Sequence, residues 1–261
     1  IFAKSQSLLF NTSFLEFCGG IKWNVNKYDD RVYYGISLYQ NNKQETNKNV
    51  LWKLPLNHIA WGPYAVKNHR TNTRDIVVQD SANVLYYIGA NGKLKWTKSI
   101  ESKIMGSPSQ IDIYKNNKFQ LLFNSNKRIY LIDILGNDVD GFPILFPHQA
   151  TNQVVAFDYD KNKNYRFLIS LDNLKIYNYN VDGEQVSGWL TPNLTSNVKL
   201  PIAHFAINGL DYIMIIDENG NILMCNRKGE DRYKLKSKIP MTNRFNYTLK
   251  NTTLENLKII F

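Results

Sequence analysis

Short apolar runs separated by polar turns recur along this chain, and four of them stand at one fixed distance from a glycine. Leu85-Tyr86 leads to Gly92, Ile129-Tyr130 to Gly136, Ile176-Tyr177 to Gly183 and Ile222-Leu223 to Gly229, with the glycine six residues after the second apolar position each time. The glycines are 44, 47 and 46 residues apart. Helical solenoid units and four-stranded propeller blades share that range of periods, so strand content decides between them.

Strands win. In the second unit Gln110-Ile111-Asp112-Ile113-Tyr114 alternates, Lys115 to Lys118 is a polar turn, and Phe119-Gln120-Leu121-Leu122-Phe123 is a second, more apolar strand. Arg128 to Asp133 reads as a third strand and Gly141 to Phe146 as the last. The unit before it reads Tyr64-Ala65-Val66, Asp75 to Val78, Val84 to Ile88 and Lys93 to Trp96. The unit after it reads Val154 to Phe157, Tyr165 to Ile169, Leu174 to Tyr179 and Trp189-Leu190, and the fourth reads Ile202 to Phe205, Tyr212 to Ile216, Ile222 to Cys225 and Tyr233 to Leu235. Asn91-Gly92, Asp182-Gly183 and Asn219-Gly220 reach positive φ at little cost and predict tight hairpins. The aromatics that follow the repeat glycine by four positions (Trp96, Tyr233) or six (Phe142, Trp189) are expected to fill the spaces between blades.

The expected fold class is therefore all-β, a β-propeller of four-stranded antiparallel blades with about four clear repeats and truncated at both ends. Residues 50–239 carry the blades. Residues 1–49 hold an antiparallel pair, Ile21 to Val25 with Val32 to Leu38, and a polar linker from Gln40 to Asn49, as a partial unit or the edge of a preceding domain. Residues 240–261 look like the start of a further blade. The chain begins at Ile1 and closes on Ile259-Ile260-Phe261, so we expect a fragment or processed product, compatible with a signal peptide or membrane tether upstream.

Composition adds three constraints. Sixteen Tyr, thirteen Phe and five Trp suit a pleated, half-buried surface. Cys18 and Cys225 lie far apart with no C-x-x-C spacing, which supports neither a disulfide framework nor a zinc site. A net charge of +10 raises nucleic acid as a partner, but the lysines are scattered through turns such as Lys115 to Lys118 and Lys161 to Lys163, with no basic run or helical stripe, so none is expected. No segment approaches the length of apolar residues that a spanning helix needs.

The stretch Tyr87 to Trp96, with Gly92-Lys93 before Trp96, resembles the repeat of pyrroloquinoline-quinone-like propellers, although Asn91 stands where that family commonly has Thr. Trp61-Gly62-Pro63-Tyr64-Ala65-Val66-Lys67-Asn68-His69, Val78-Gln79-Asp80, Gly141-Phe142-Pro143 and the run from Phe157 to Phe167 look like a group of uncharacterised β-propeller proteins with such WD40-like repeats from the envelope of Bacteroidota. The resemblance covers about Trp52 to Leu235. It implies a periplasmic or surface protein, tethered upstream of the propeller, with a protein partner in the envelope and no catalytic residues to carry over. The acidic and metal-binding pattern of the true quinone dehydrogenases is missing, so no bound quinone is expected.

Candidate chemistry is sparse. Asp158, Asp160, Asn162 and Asn164 alternate as the oxygen ligands of a calcium loop do, but the segment lacks a mid-loop glycine and a downstream Glu, and it also reads as a polar hairpin turn. No cofactor is expected beyond that calcium. His58, His69, His148 and His204 show no metal-ligand spacing, and His204 on a first strand is expected to find a hydrogen-bond partner. No Gly-x-Ser-x-Gly elbow appears. Asn11, Asn193, Asn246 and Asn251 head glycosylation sequons, and Asp80-Ser81-Ala82 matches a short O-glycosylation signal; chance accounts for such matches in a chain this rich in Asn.

These readings favour a non-enzymatic protein-binding or assembly scaffold of the bacterial cell envelope. Trp61, Pro63, Tyr64, His69 and Arg70 form the expected recognition segment, with blade packing as the competing role. The alternatives are a carbohydrate-binding or hydrolytic propeller that uses its central channel, and a basic surface for nucleic acid or anionic lipid.

Overall fold

Strands form where apolar runs lie between turn residues, because β-branched and aromatic side chains cover both surfaces of a sheet. The computed structural model describes residues 51–233, 238 and 239, together with the backbone of residues 20–28, 31–39, 234, 248–250 and 258–260. Cys18, the sequons at Asn11, Asn246 and Asn251, and the linker from Gln40 to Asn49 lie outside the described residues. The chain divides into two compact units, residues 1–103 and 104–261.

In the first unit, β1 (Gly20–Tyr28) and β2 (Arg31–Tyr39) pair antiparallel with Trp23 opposite Ile36. A four-stranded antiparallel sheet follows, β3 (Ile59–Lys67), β4 (Arg74–Asp80), β5 (Val84–Ile88) and β6 (Leu94–Ser99), in chain order. One face is a cluster of Ile59, Ile76, Val78 and Ile88, covered by Trp52, Leu54 and Leu56. The Trp52 indole donates to the Ala90 carbonyl at 3.1 Å, fixing this cover on the turn before β6.

The second unit holds, among the described residues, two more four-stranded sheets and a three-stranded one between them. The first is β7 (Met105–Ile111), β8 (Gln120–Asn124), β9 (Arg128–Ile132) and β10 (Ile144–Leu145); the next is β11 (Val155–Phe157), β12 (Arg166–Leu171) and β13 (Lys175–Tyr179). The last is β14 (Ala203–Ile207), β15 (Leu210–Ile216), β16 (Ile222–Cys225) and β17 (Asp231–Lys234), before the short pair β18 (Thr248–Lys250) and β19 (Lys258–Ile260).

The two-residue period of a strand explains why the middle strands read as unbroken apolar runs. In β12, Phe167, Ile169 and Leu171 join the core shared with β8 and β9, while Leu168 joins the core shared with β15 and β16. In β15, Ile213 and Ile215 face back toward the sheet of β12, and Tyr212, Met214 and Ile216 face the other way. Both faces are therefore buried. Phe167 meets Phe142 edge-on with centroids 5.9 Å apart, and removing its ring would cost about 3–5 kcal/mol.

Three local expectations are corrected. First, the opening strand of the second repeat ends at Ile111 rather than Tyr114, because the Asp112 carboxylate caps a turn by accepting the amides of Asn116 and Asn117. Second, Trp189-Leu190 forms no fourth strand on β13. Instead the Trp189 indole and the Thr191 hydroxyl both donate to the Ile176 carbonyl at 2.8 and 3.2 Å, and the Leu190 amide bonds to the Lys228 carbonyl. Third, Tyr233 fills no space between sheets: on the outermost strand it is 55% exposed.

The tight hairpins expected at Asn91-Gly92, Asp182-Gly183 and Asn219-Gly220 are present, with positive φ confined to the glycine. They close three-residue loops with a bulge at the glycine, a common hairpin solution. The residue three before the glycine organises most of these loops: Asp133, Asn180, Asp217 and Asn226 each accept two backbone amides on one side-chain oxygen. Each also bonds the residue four positions on, always pairing an amide with a carboxylate: Asp133 with Asn137, Asn180 with Glu184, Asp217 with Asn221, Asn226 with Glu230. Asn208-Gly209, both at positive φ, closes a two-residue hairpin between the paired Ile207 and Leu210.

Candidate functional site

The segment first expected to face a partner is mostly packed. A register irregularity in β3 sets Ile59 opposite Asp80 and Trp61 opposite Gln79, and Trp61 is 6% exposed with its ring 4.7 Å from that of Tyr64. Pro63, Tyr64 and His69 are half-buried, and Arg70 is exposed. Burial raises the Tyr64 hydroxyl above its ordinary range. Asn68, 2% exposed, caps the loop by accepting the Arg70 amide and donating to Asp75 at 2.7 Å.

A more organised feature lies in the second unit, where the loops 112–119 and 158–165 follow the first strands of adjacent sheets. They are built alike. Asp112 accepts the amides of Asn116 and Asn117 at 3.1 and 2.8 Å, and Asp158 accepts those of Asn162 and Lys163 at 2.9 and 3.0 Å. The third and fifth residues after each Asp have positive φ, Lys115 and Asn117 in one loop, Lys161 and Lys163 in the other. Asn116 and Asn162 then accept the amide two residues on.

Reciprocal lysines join the loops. Lys163 Nζ lies 2.5 Å from Asp112 Oδ2 and 3.3 Å from Asn117 Oδ1, while Lys115 Nζ donates to Asn164 Oδ1 at 2.7 Å. The Asp112 amide adds a bond to the Tyr165 hydroxyl at 3.4 Å. Burial by itself would raise the Asp112 carboxyl; the Lys163 ammonium and the two amides outweigh it and hold the group below its ordinary value.

The four residues read as calcium ligands are thus individually engaged. Asp158 binds amides, Asn162 caps Asn164, Asn164 accepts Lys115, and Asp160 pairs with Arg227 Nη1 at 2.6 Å. Among the described residues no group of three His, Cys, Asp or Glu is placed to hold a metal ion.

Arg227 extends the array to the last sheet. Its Nε lies 2.5 Å from Asp211 Oδ2, its guanidinium stands 4.8 Å over the Tyr159 ring, and Asp211 Oδ1 lies 2.6 Å from His204 Nε2. His204 thereby has the hydrogen-bond partner expected of it, and its ring rests edge-on against Tyr159 at 4.8 Å. Burial lowers the tendency of Arg227 to stay charged, but Asp160 and Asp211 reverse that and raise its pKa. Exposed apolar side chains stand at the same end of these sheets, Tyr114 at 55%, Leu135 at 53% and Leu210 at 47%.

No protein-family model and no curated protein matches the chain. Solved structures do. BBS1N in complex with ARL6DN, in mercury- and lead-soaked crystals, is 11% and 12% identical over 77% and 82% of this chain, each with a TM-score of 0.51. The dihydro-heme d1 dehydrogenase NirN in complex with DHE is 9% identical over 88% of this chain, with a TM-score of 0.52. BamB from Moraxella catarrhalis is 14% identical over 78% of this chain and covered over 68% of its own length, with a TM-score of 0.45. The chain spans 57% and 65% of the BBS1N chains and 48% of the NirN chain.

These likenesses concern the fold: the chain is all-β, with the four-stranded antiparallel sheets of a β-propeller. One structure they identify is bound to a protein and another is a dehydrogenase. The fold alone does not separate binding from catalysis.

Proposed function

We propose that this chain is a non-enzymatic protein-binding or assembly module of the bacterial cell envelope, and that its working surface is the ledge formed by loops 112–119 and 158–165. The joined loops carry this reading. Their capping aspartates and reciprocal lysines hold Tyr114 and its neighbours in one arrangement before any partner arrives, which lowers the entropy lost on binding. The protein-bound state of BBS1N, a similar fold, agrees with such a role. The envelope location rests on the sequence resemblance alone.

A channel-based activity finds less support. The first strands of the three sheets in the second unit read Met105–Ile111, Val155–Phe157 and Ala203–Ile207, which supply no carboxylate or lysine and a single His. Nor does the module reading need calcium. Saturating calcium, about 5 mM for a site of extracellular affinity, should leave the unfolding midpoint where EDTA leaves it. A calcium-dependent rise, lost in Asp158→Asn, would restore the calcium loop.

The module reading is tested by placing a photo-crosslinking phenylalanine at position 114, and separately at position 174 on the opposite end of the sheets, in the full-length protein. Irradiation in native envelope extract should give a discrete adduct at 114 and none at 174. Equal labelling at both positions, or none at 114, would reject the ledge as a binding surface.

A further inference from the structure

The ledge turns its charges in opposite directions. Loops 112–119 and 158–165 carry four lysines, Lys115, Lys118, Lys161 and Lys163, and three aspartates, Asp112, Asp158 and Asp160. Every aspartate is occupied. Asp112 is 2% exposed and held by Lys163 and two amides, Asp158 is spent on the amides of Asn162 and Lys163, and Asp160 is paired with Arg227. Lys118 and Lys161 are exposed and have no ion-pair partner among the described residues, and Lys115 reaches only the neutral amide of Asn164. What the ledge offers to solvent is therefore net positive charge around an exposed aromatic ring, Tyr114, with the Arg227-paired Asp160 beside it.

We propose that this ledge binds an acidic, extended segment of a partner protein; the proposal rests on the module reading above and names the class of partner. The lysines offer point charges to carboxylates, and Tyr114 offers an aromatic contact of the kind enriched in interface cores. A polyphosphate backbone fits less well. Asp160 stays 60% exposed beside Lys161, so a strand of uniform negative charge must bring one of its charges against it, whereas a peptide can place a neutral residue there. Contacts of this kind act mainly on encounter rate and fade with salt.

The test uses the full-length protein and fluorescence anisotropy at about 50 mM salt, where screening is modest. The probe is a labelled peptide of about twelve residues alternating Glu and Thr, compared with the same peptide carrying Gln for Glu, with single-stranded oligothymidylate and with phosphatidylserine vesicles. Binding should be seen for the Glu peptide, should exceed that of the Gln peptide, and should weaken about tenfold in Lys115→Gln/Lys118→Gln/Lys161→Gln. The equally charged control Lys127→Gln/Lys175→Gln/Lys199→Gln, at the other end of the sheets, should change it less than about twofold. Tyr114→Ala provides a second, charge-neutral variant that should also weaken it, and circular dichroism checks that each variant folds.

Equal losses in both lysine triples would overturn the proposal in favour of diffuse charge, as would equal binding of the Gln peptide or none of the Glu peptide. Tighter binding of oligothymidylate or vesicles than of the Glu peptide, lost in the loop variant, would replace a protein segment with a polyanion or a lipid surface. A position-114 adduct in envelope extract alongside failure of the Glu peptide would leave the module reading in place and remove only the acidic partner class.

Discussion

Lys163, on the loop of one sheet, holds its ammonium 2.5 Å from the Asp112 carboxylate on the loop of the sheet before it. The pair joins the two loops through residues 51 positions apart and neutralises a carboxylate that is 2% exposed. It sets both the stiffness of the ledge and the sign of the charge that the ledge shows to solvent.

Lys163→Met should lower stability by about 1–2 kcal/mol, because Asp112 then keeps only its backbone amide donors. Lys163 is 34% exposed, so the loss is smaller than for a fully buried pair. Urea unfolding measures it. Adding Asp112→Asn should cost little more in that background, and a loss below about 0.3 kcal/mol for Lys163→Met would falsify the joined-loop description.

Stability should fall steeply in acid. Asp75, Asp80, Asp112 and Asp217 are each 2% exposed or less. Burial would raise each carboxyl, yet amide and side-chain donors, with Lys95 at Asp75 and Lys163 at Asp112, outweigh it and hold all four below their ordinary value. The unfolded chain then binds protons more readily than the folded one. The stability these groups contribute is complete above the unfolded value of about 3.9 and disappears as pH falls through the lowered folded values. Urea midpoints followed from neutral pH to about 2.5 should drop over that window, and Asp217→Asn should make the drop shallower. A flat profile would contradict the depressed values.

Two glycines at positive φ should respond differently to alanine. At Gly229, φ is 85°, and a Cβ would collide with the carbonyl oxygen of Leu190, the residue whose amide bonds to Lys228. At Gly209, φ is 75° and nothing stands within 4 Å of that position. Gly209→Ala should cost about 1–2 kcal/mol from backbone strain alone, and Gly229→Ala clearly more, since backbone has to move. Equal unfolding free energies would show that the segment around Leu190 does not press on this turn.

Cys225 should be inert in the folded protein. It is fully buried, and burial, reinforced by the charge of Asp231, pushes its thiol up to about 12. In a Cys18→Ser background, iodoacetamide at a pH of about 7.5 should label no thiol until urea unfolds the chain, because the thiolate is the reacting form. Rapid labelling of the folded form would show that the core around Tyr159 and Trp189 opens readily.

Much of this architecture was legible in the sequence because strand pairing is local here. Within each sheet every strand pairs with the next one in the chain, so the period of apolar runs and turn glycines reads out the sheets in order. The loop caps were also visible: Asp133, Asn180, Asp217 and Asn226 stand three residues before a glycine and four before an amide or carboxylate that complements them. Trp189 misled because its indole performs, from outside the sheet, the hydrogen bonding expected of a strand. Trp61, beside Gly and Pro, reads as a turn residue, whereas a register irregularity in β3 sets it opposite Gln79, where it is buried.

Composition and periodicity by themselves determined the all-β class, the order of strands and the alternation that gives each middle strand two buried faces, since all three depend on neighbours within a few residues. Only the tertiary structure decided that the loop resembling a calcium site is cross-linked to its counterpart by lysines, and that Arg227 reaches Asp160 from the last sheet. Those contacts join residues 46 to 67 positions apart. Side chains at such separations meet only after whole sheets have stacked, so no local pattern can encode which charge will find which.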